Sequence, residues 1–321
     1  MARQFTHEER ERLSQLRAAG ETQASIARIL GRSPSSISRE LRRNGQGESY
    51  FALHAQRQAE ARRRERPRQP KMERRDISDF VRAGLTSYWS PEQIAGRLQL
   101  EFPNDRQRHI SHQTIYTWID REPYRKHWEQ FLRQRGRKRS EPEKRGQLVN
   151  RIAVGDRPEV VNQRRRYGDW EGDTIVGRQR QSALVSLVER KSRFTLLHRV
   201  SDLKAQTVRA AVRDSLQPLP DDLRKTATFD NGKEFAQHEQ LAEELGLDIY
   251  FAEPYAAWQR GTNENTNGLV RQFYPKGTDF TKVRPSALLE TQDLLNERPR
   301  KCLGYRTPAE ILEKRGVALE A

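Results

Sequence analysis

Apolar residues recur at helical spacing through the first 130 residues and at strand spacing beyond residue 167, dividing the chain into a helical half and a sheet-bearing half. Residues 6–19 predict a helix, with Thr6 as N-cap, Glu9 at the capping-box position and Gly20 as the stop. Residues 22–30 predict a second, placing Ile26, Ile29 and Leu30 on one face. Ser33 and Pro34 open a third, in which Ile37 and Leu41 share a face while Ser35, Arg39 and Arg42 fall roughly opposite. Two short helices, a Gly-containing turn and a polar, Arg-bearing second helix predict a helix-turn-helix over residues 1–48. Residues 49–78 read as a basic helix followed by a linker at Pro67 and Pro70, its arginines serving either DNA phosphates or solvent.

From Ser90 the pattern partly repeats. Ser90, Pro91 and Gln93 give an N-cap, a first-turn proline and a capping-box partner. After a loop, Ser111 caps a helix that buries Ile115, Trp118 and Ile119 and projects Gln113 and Thr117 away from them. Residues 79–130 therefore read as a second candidate helix-turn-helix with a longer turn, the alternative being a helical spacer, and residues 131–160, charged and without apolar periodicity, read as a basic linker. Residues 161–321 form the last domain. Strands are predicted at 170–176, 183–188, 194–200, 226–230 and 247–252, and helices at 204–216, 234–245, from near 262, and at 285–297. Three strands as consecutive hairpins, then alternating helix and strand, give a mixed five-stranded α/β sheet flanked by helices.

Charge changes this picture. The 321 residues carry a net +16, which points to a polyanionic partner. Residues 1–150 hold 32 Lys and Arg against 19 Asp and Glu, whereas 151–321 hold 28 against 25, so the helical half is the DNA-holding half. A hydrophobic content of 34% predicts exposed linkers between compact pieces. The single cysteine, Cys302, excludes an internal disulfide or a multi-Cys zinc site, and the histidines are scattered. The first twenty residues are charged throughout and no apolar run approaches a membrane span, so the expected protein is soluble and cytoplasmic.

The remaining chemistry lies in carboxylates. Asp173 sits in the first strand, where alternation puts Asp169 and Glu171 on the same face, and spacing does not choose among the three. Asp230 ends the fourth strand before Asn231-Gly232; its bland reading is ordinary turn chemistry, with Asn231 and Glu234 capping the next helix. Glu264 falls within about 100° of Asn267, Gly268 and Arg271 on its helix, opposite Leu269, Val270 and Phe273. That face combines a carboxylate, a glycine permitting close approach and an arginine suited to phosphate. Three acids on different elements suit two divalent ions for phosphodiester chemistry.

Long strings of this sequence are also familiar. They are F-T-H-E-E-R with I-A-R-I-L-G-R-S-P-S-S-I-S-R-E-L-R-R-N at 5–44, W-S-P-E-Q-I-A-G-R-L with I-S-H-Q-T-I-Y at 89–116, D-W-E-G-D-T-I-V-G at 169–177, T-F-D-N-G-K-E-F-A at 228–236, P-Y-A-A-W-Q-R-G-T-N-E-N-T-N-G-L-V-R-Q-F-Y-P-K-G-T-D-F at 254–280, and R-P-R-K-C-L-G-Y-R-T-P-A-E at 298–310. With them the chain resembles the IS-thirty (IS30) family of bacterial insertion-sequence transposases over nearly its whole length. The resemblance implies a ribonuclease-H-like catalytic fold shared with retroviral integrases. It implies an Asp-Asp-Glu triad at Asp173, Asp230 and Glu264, the last two separated by 33 residues. It implies two Mg²⁺ or Mn²⁺ ions on those residues, binding to terminal inverted repeats and target DNA, and strand cleavage followed by strand transfer without a covalent protein–DNA intermediate. A homo-oligomer holding two DNA ends, associated with the bacterial nucleoid, is implied as well. Lys233, Arg260, Arg271 and Lys276 are expected at phosphates near the scissile bond, and Ser35, Arg39, Arg42, Gln113 and Thr117 at the recognition surfaces. Two other readings stand beside this one: a helix-turn-helix regulator whose acids are structural, and a ribonuclease-H-like nuclease that cuts without joining.

Overall fold

The computed structural model describes residues 4–45, 49–64, 70–133, 148–253 and 257–314, so the charged run at 134–147 and Pro254, Tyr255 and Ala256 lie outside the described residues. The chain forms two compact units, Met1–Pro70 and Lys71–Ala321. No helix among the described residues is long and apolar enough to cross a membrane.

In the first unit, Thr6 and Glu9 close the expected capping box on α1 (His7–Ala18). Thr22 caps α2 (Gln23–Ile29), and Ser33, with Pro34 in the first turn, caps α3 (Pro34–Asn44). The basic segment that follows forms α4 (Ala52–Arg64), which packs along α1 and buries Ala55 with Leu13, Ile26, Ile37 and Tyr50. So small a core is pinned by one buried polar cluster. The Arg10 guanidinium donates to Glu40 at 2.8 Å, and the same carboxylate oxygen accepts from Asn44 (2.7 Å) and the Tyr50 hydroxyl (3.0 Å). Burial, reinforced by the Glu40 carboxylate, pushes the Tyr50 phenol well above its ordinary pKa, so it stays a donor. This fixes the inner side of α3 and leaves Ser35, Arg39 and Arg42 exposed on the outer side.

The first α-helix of the second unit, α5 (Arg75–Thr86), is one that sequence reading did not predict; it spans the expected boundary between the linker and the second helix-turn-helix. It lacks a side-chain cap, yet buries Ile77, Val81 and Leu85 against α6 (Pro91–Glu101) and α7 (His112–Arg121). The Ser90–Gln93 capping box forms as expected, and Ser111 caps α7. Gln113 is exposed and Thr117 half-buried. A short α8 (Arg125–Glu129) adds Trp128 to this core. After α9 (Glu159–Asn162) the chain enters the sheet, whose strands are β1 (Asp169–Val176), β2 (Ala183–Glu189), β3 (Thr195–Val200), β4 (Thr226–Phe229) and β5 (Asp248–Phe251). Their order is β3-β2-β1-β4-β5: β1–β2 and β2–β3 are antiparallel, and β1–β4 and β4–β5 parallel. This is the mixed five-stranded sheet the strand spacing predicts. One face packs on α10 (Ala205–Leu216) and α11 (His238–Leu245), and the other on α12 (Gly261–Phe273) and α13 (Pro285–Asn296). Because both faces are covered, β2 is buried along its full length and reads as a nearly continuous apolar run.

A final helix, α14 (Pro308–Glu313), and the segment before it join the sheet domain to α5–α8. Arg97 of α6 makes a two-pronged pair with Glu310 at 2.8 and 2.6 Å, and this guanidinium holds the Glu310 carboxyl below its ordinary pKa. Gln93 donates to the Pro299 carbonyl at 2.7 Å, and Arg298 returns a bond to Gln93 at 3.0 Å. The Tyr305 ring lies flat on Gly96, where a Cβ would come within 2.5 Å of three ring carbons. Two of the strings that carry the family resemblance, 89–98 and 298–310, therefore pack on one another.

Candidate active site

Strands β1 and β4 run parallel and stay paired from Asp169–Thr226 to Glu171–Thr228. Continuing that register two places sets Asp173 beside Asp230, just where β4 ends. The carboxyl end of a parallel strand is where α/β sheets gather ligands. Gly172 makes the approach possible: a Cβ there would sit 2.3 Å from the Phe229 ring of β4 and 3.1 Å from Leu187 of β2. Gly172→Ala is expected to cost about 1–3 kcal/mol by overpacking, visible as a lower urea midpoint at unchanged slope. An unshifted midpoint would show that β1 and β4 accommodate the methyl without strain.

The three acids of β1 have different fates. Asp169 is sealed by Arg166 (3.0 Å) and the Thr226 hydroxyl (2.8 Å). Glu171 is wholly buried, paired with the Arg190 guanidinium, and accepts the Asn263 backbone N–H at 2.9 Å. It is not the surface acid that its bland sequence reading supposes. Asp173 remains a quarter exposed. Its Oδ1 accepts the Thr174 N–H and its Oδ2 the Asn267 side-chain amide, both at 2.9 Å.

The geometry of Asp230 accommodates both readings that the sequence set against each other. Its Oδ1 accepts the Gly232 N–H at 3.0 Å, the turn chemistry of an Asx residue. Its Oδ2 points at Arg260, 3.4 Å away, while the other Arg260 nitrogen lies 3.5 Å from Asp173. Asn231 and Glu234 do not cap a helix. Asn231 donates to the Ala252 carbonyl at 2.6 Å, tying the end of β4 to the end of β5, and Glu234 accepts from Thr174 of β1 at 2.9 Å. Carboxylate oxygens from two strands thus share one cation. That hard, all-oxygen donor pair fits Mg²⁺, which binds through one or two carboxylates completed by water and phosphate.

Glu264 is exposed on α12, one turn before the Asn267 that holds Asp173. It has no hydrogen-bond or ion-pair partner among the described residues, and among these no three His, Cys, Asp or Glu side chains stand close enough to hold one ion. The structure therefore brings Asp173 and Asp230 together and leaves Glu264 apart from them. Of the expected phosphate contacts, Lys233 and Lys276 are exposed, and Arg260 lies between the two aspartates. Arg271 donates to the carbonyls of Val176, Tyr274 and Pro275 at 2.9–3.4 Å, clamping the end of β1 to the turn after α12. The space Gly268 leaves is taken by the Arg133 guanidinium, 2.3 Å from where a Cβ would stand.

Sequence reading missed the parts that position these acids. The Asn263 amide donates to the Glu171 carbonyl (2.9 Å) and the Ser186 carbonyl (3.1 Å), bolting the start of α12 to β1 and β2. The Ser186 hydroxyl donates to the Asn267 side-chain oxygen at 2.7 Å, which turns the Asn267 amide toward Asp173. One signal was present: Ser186 is the polar exception in the apolar run A-L-V-S-L-V of β2.

Two family models match parts of the chain. A helix-turn-helix domain family matches residues 2–44, and an integrase core domain family matches residues 163–257. The chain is 39% identical to the transposase for insertion sequence element IS1086 of Cupriavidus metallidurans, over 96% of this chain and 94% of that one. It is 38% identical to the transposase InsI for insertion sequence element IS30A of Escherichia coli, over 98% and 84%. Among solved structures, the catalytic core domain of BIV integrase aligns with 46% of this chain and 96% of its own, at 22% identity and a TM-score of 0.37.

Proposed function

The chain belongs to the IS30 family of insertion-sequence transposases, and from that premise we propose that Asp173, Asp230 and Glu264 are its metal-binding catalytic triad, acting on the terminal inverted repeats of its element. The protein is a DNA-binding enzyme of strand transfer, with helix-turn-helix and integrase core domains. The observation that carries the triad is the convergence of Asp173 and Asp230, from adjacent parallel strands, on a single cation.

Integrase core enzymes use divalent metals. Two Mg²⁺ or Mn²⁺ ions on the triad would supply Lewis acidity that activates water or a 3′-hydroxyl and steadies the leaving oxygen. The chain's own residues set the stage for that. Asn267 and the Thr174 N–H aim the Asp173 carboxylate, and the Gly232 N–H holds one Asp230 oxygen so that the other faces the site. Asn263 fixes the first turn of α12, from which Glu264 projects. The exposed Lys233 and Lys276 suit backbone phosphates beside the reacting bond, and Arg260 is the cation closest to both aspartates. Two DNA ends require at least two protomers, so the active form is a homo-oligomer on the bacterial nucleoid.

The test combines purified protein, labelled terminal-repeat DNA and Mg²⁺, and reads binding, nicks and joined strands separately. Binding without nicks would favour a regulator, and nicks without joined products a nuclease. End recognition is assigned to the outer side of α3 and to Gln113 and Thr117 of α7. Arg39, exposed and held to the Ser35 carbonyl at 3.0 Å, should weaken end binding by about 1–3 kcal/mol as Arg39→Ala. Unchanged anisotropy titrations with terminal-repeat DNA would remove it as a reader.

A further inference from the structure

On a different face of α12 from Asn263 and Asn267, a cleft of about 180 Å³ opens between Arg164, Arg193, Arg300, Thr262, Asn265 and Cys302. A water molecule takes about 30 Å³ of liquid, so the cleft has room for a phosphate group and its hydration. Three guanidinium groups line it and no carboxylate does. Arg164 and Arg193 both donate to the Thr262 hydroxyl, at 3.1 and 2.7 Å, so two cations share one neutral acceptor. Arg300, only 7% exposed, gives one nitrogen to the Leu295 carbonyl at 2.9 Å and leaves its buried Nε without a partner among the described residues. Glu171, the acid whose charge reaches Arg164, is already paired with Arg190. Burial lowers the Arg300 pKa to about 10, and burial followed by the Arg193 charge lowers that of Arg164. Crowded guanidinium groups without a counter-ion are costly, and an anion accepting several N–H bonds removes that cost. The planar forks match phosphate oxygens better than lysine would.

We propose that this cleft binds a backbone phosphate of DNA, anchoring a strand across α12 from the carboxylates and apart from the reacting phosphodiester. The proposal rests on DNA being the substrate, as argued above, but not on the assignment of the triad.

Cys302 is the sole cysteine of the chain, is exposed and lines the cleft, so its alkylation by neutral iodoacetamide reports occupancy. The full-length protein is alkylated without metal, alone, with saturating terminal-repeat duplex checked by mobility shift, and with inorganic phosphate. DNA should slow alkylation severalfold, with weaker protection by phosphate. Arg193→Gln and Arg164→Gln should each abolish protection and reduce the slope of log affinity against log salt by about 1. Arg164 lies in the turn between α9 and β1, outside the β2–β3 hairpin, so its variant keeps the test decisive if Arg193→Gln disturbs that hairpin. Equal alkylation rates with and without saturating DNA overturn the proposal, as does protection that survives both variants. Protection by phosphate that DNA fails to reproduce overturns the DNA backbone as the occupant. Because no strand chemistry is read, failure of the nicking assay leaves this result standing, and the reverse also holds.

Discussion

Asp230→Asn should lower Mg²⁺-dependent nicking of terminal-repeat DNA by about a thousandfold or more, while end binding stays within experimental error. Metal ions contribute several kcal/mol of charge stabilisation in phosphoryl chemistry, and each 1.4 kcal/mol is tenfold in rate. The substitution is nearly isosteric. The amide oxygen can still accept the Gly232 N–H that shapes the turn, so the fold should survive and only the charge facing Arg260 is lost. Recognition, assigned to α3 and α7, shares no residue with this turn. Nicking at the wild-type rate would end the triad assignment. Lost binding would mean that Asp230 shapes the DNA surface instead.

The second large effect is on stability. Arg190→Leu should cost about 3–5 kcal/mol, because it strands a fully buried carboxylate. Glu171 is fully buried, and without Arg190 its carboxylate keeps only the Asn263 N–H as a hydrogen-bond partner among the described residues. In a unit of this size the thermal midpoint should fall by on the order of 10 °C. The control is Glu171→Leu combined with Arg190→Leu, expected to recover much of the loss, since replacing both buried charges is often close to neutral. A single variant as stable as the parent would show that Glu171 takes up a proton or is reached by water. A double variant no better than the single would assign the stability to the backbone contacts of Arg190, such as its bond to the Val161 carbonyl.

These two residues also show how far the sequence can be read. Caps and stops are local, so Thr6, Ser33, Ser90 and Ser111 marked helix starts correctly. Helix α5 escaped because it has no capping side chain and opens amid charges, although Ile77, Val81 and Leu85 keep helical spacing. Strand alternation correctly put Glu171 and Asp173 on one face, but their difference comes from partners far along the chain: Arg190 and Asn263 for one, Arg260 and Asn267 for the other. No local pattern encodes which acid will be buried. Asp230 was ambiguous for another reason. Turn and site use different oxygens of one carboxylate, so the two readings were never exclusive. Asn263 carries no local signal at all, since its four bonds to β1 and β2 exist only once α12 has docked.

The seat of Tyr305 on Gly96 has a geometric consequence. With Arg97 gripping Glu310 and Gln93 interlocked with Arg298 and Pro299, the body that carries α7 is keyed to the body that carries the carboxylates. On the proposed assignment of α7 to DNA and of the carboxylates to the cut, the number of base pairs between the two is a ruler engraved in these packed surfaces.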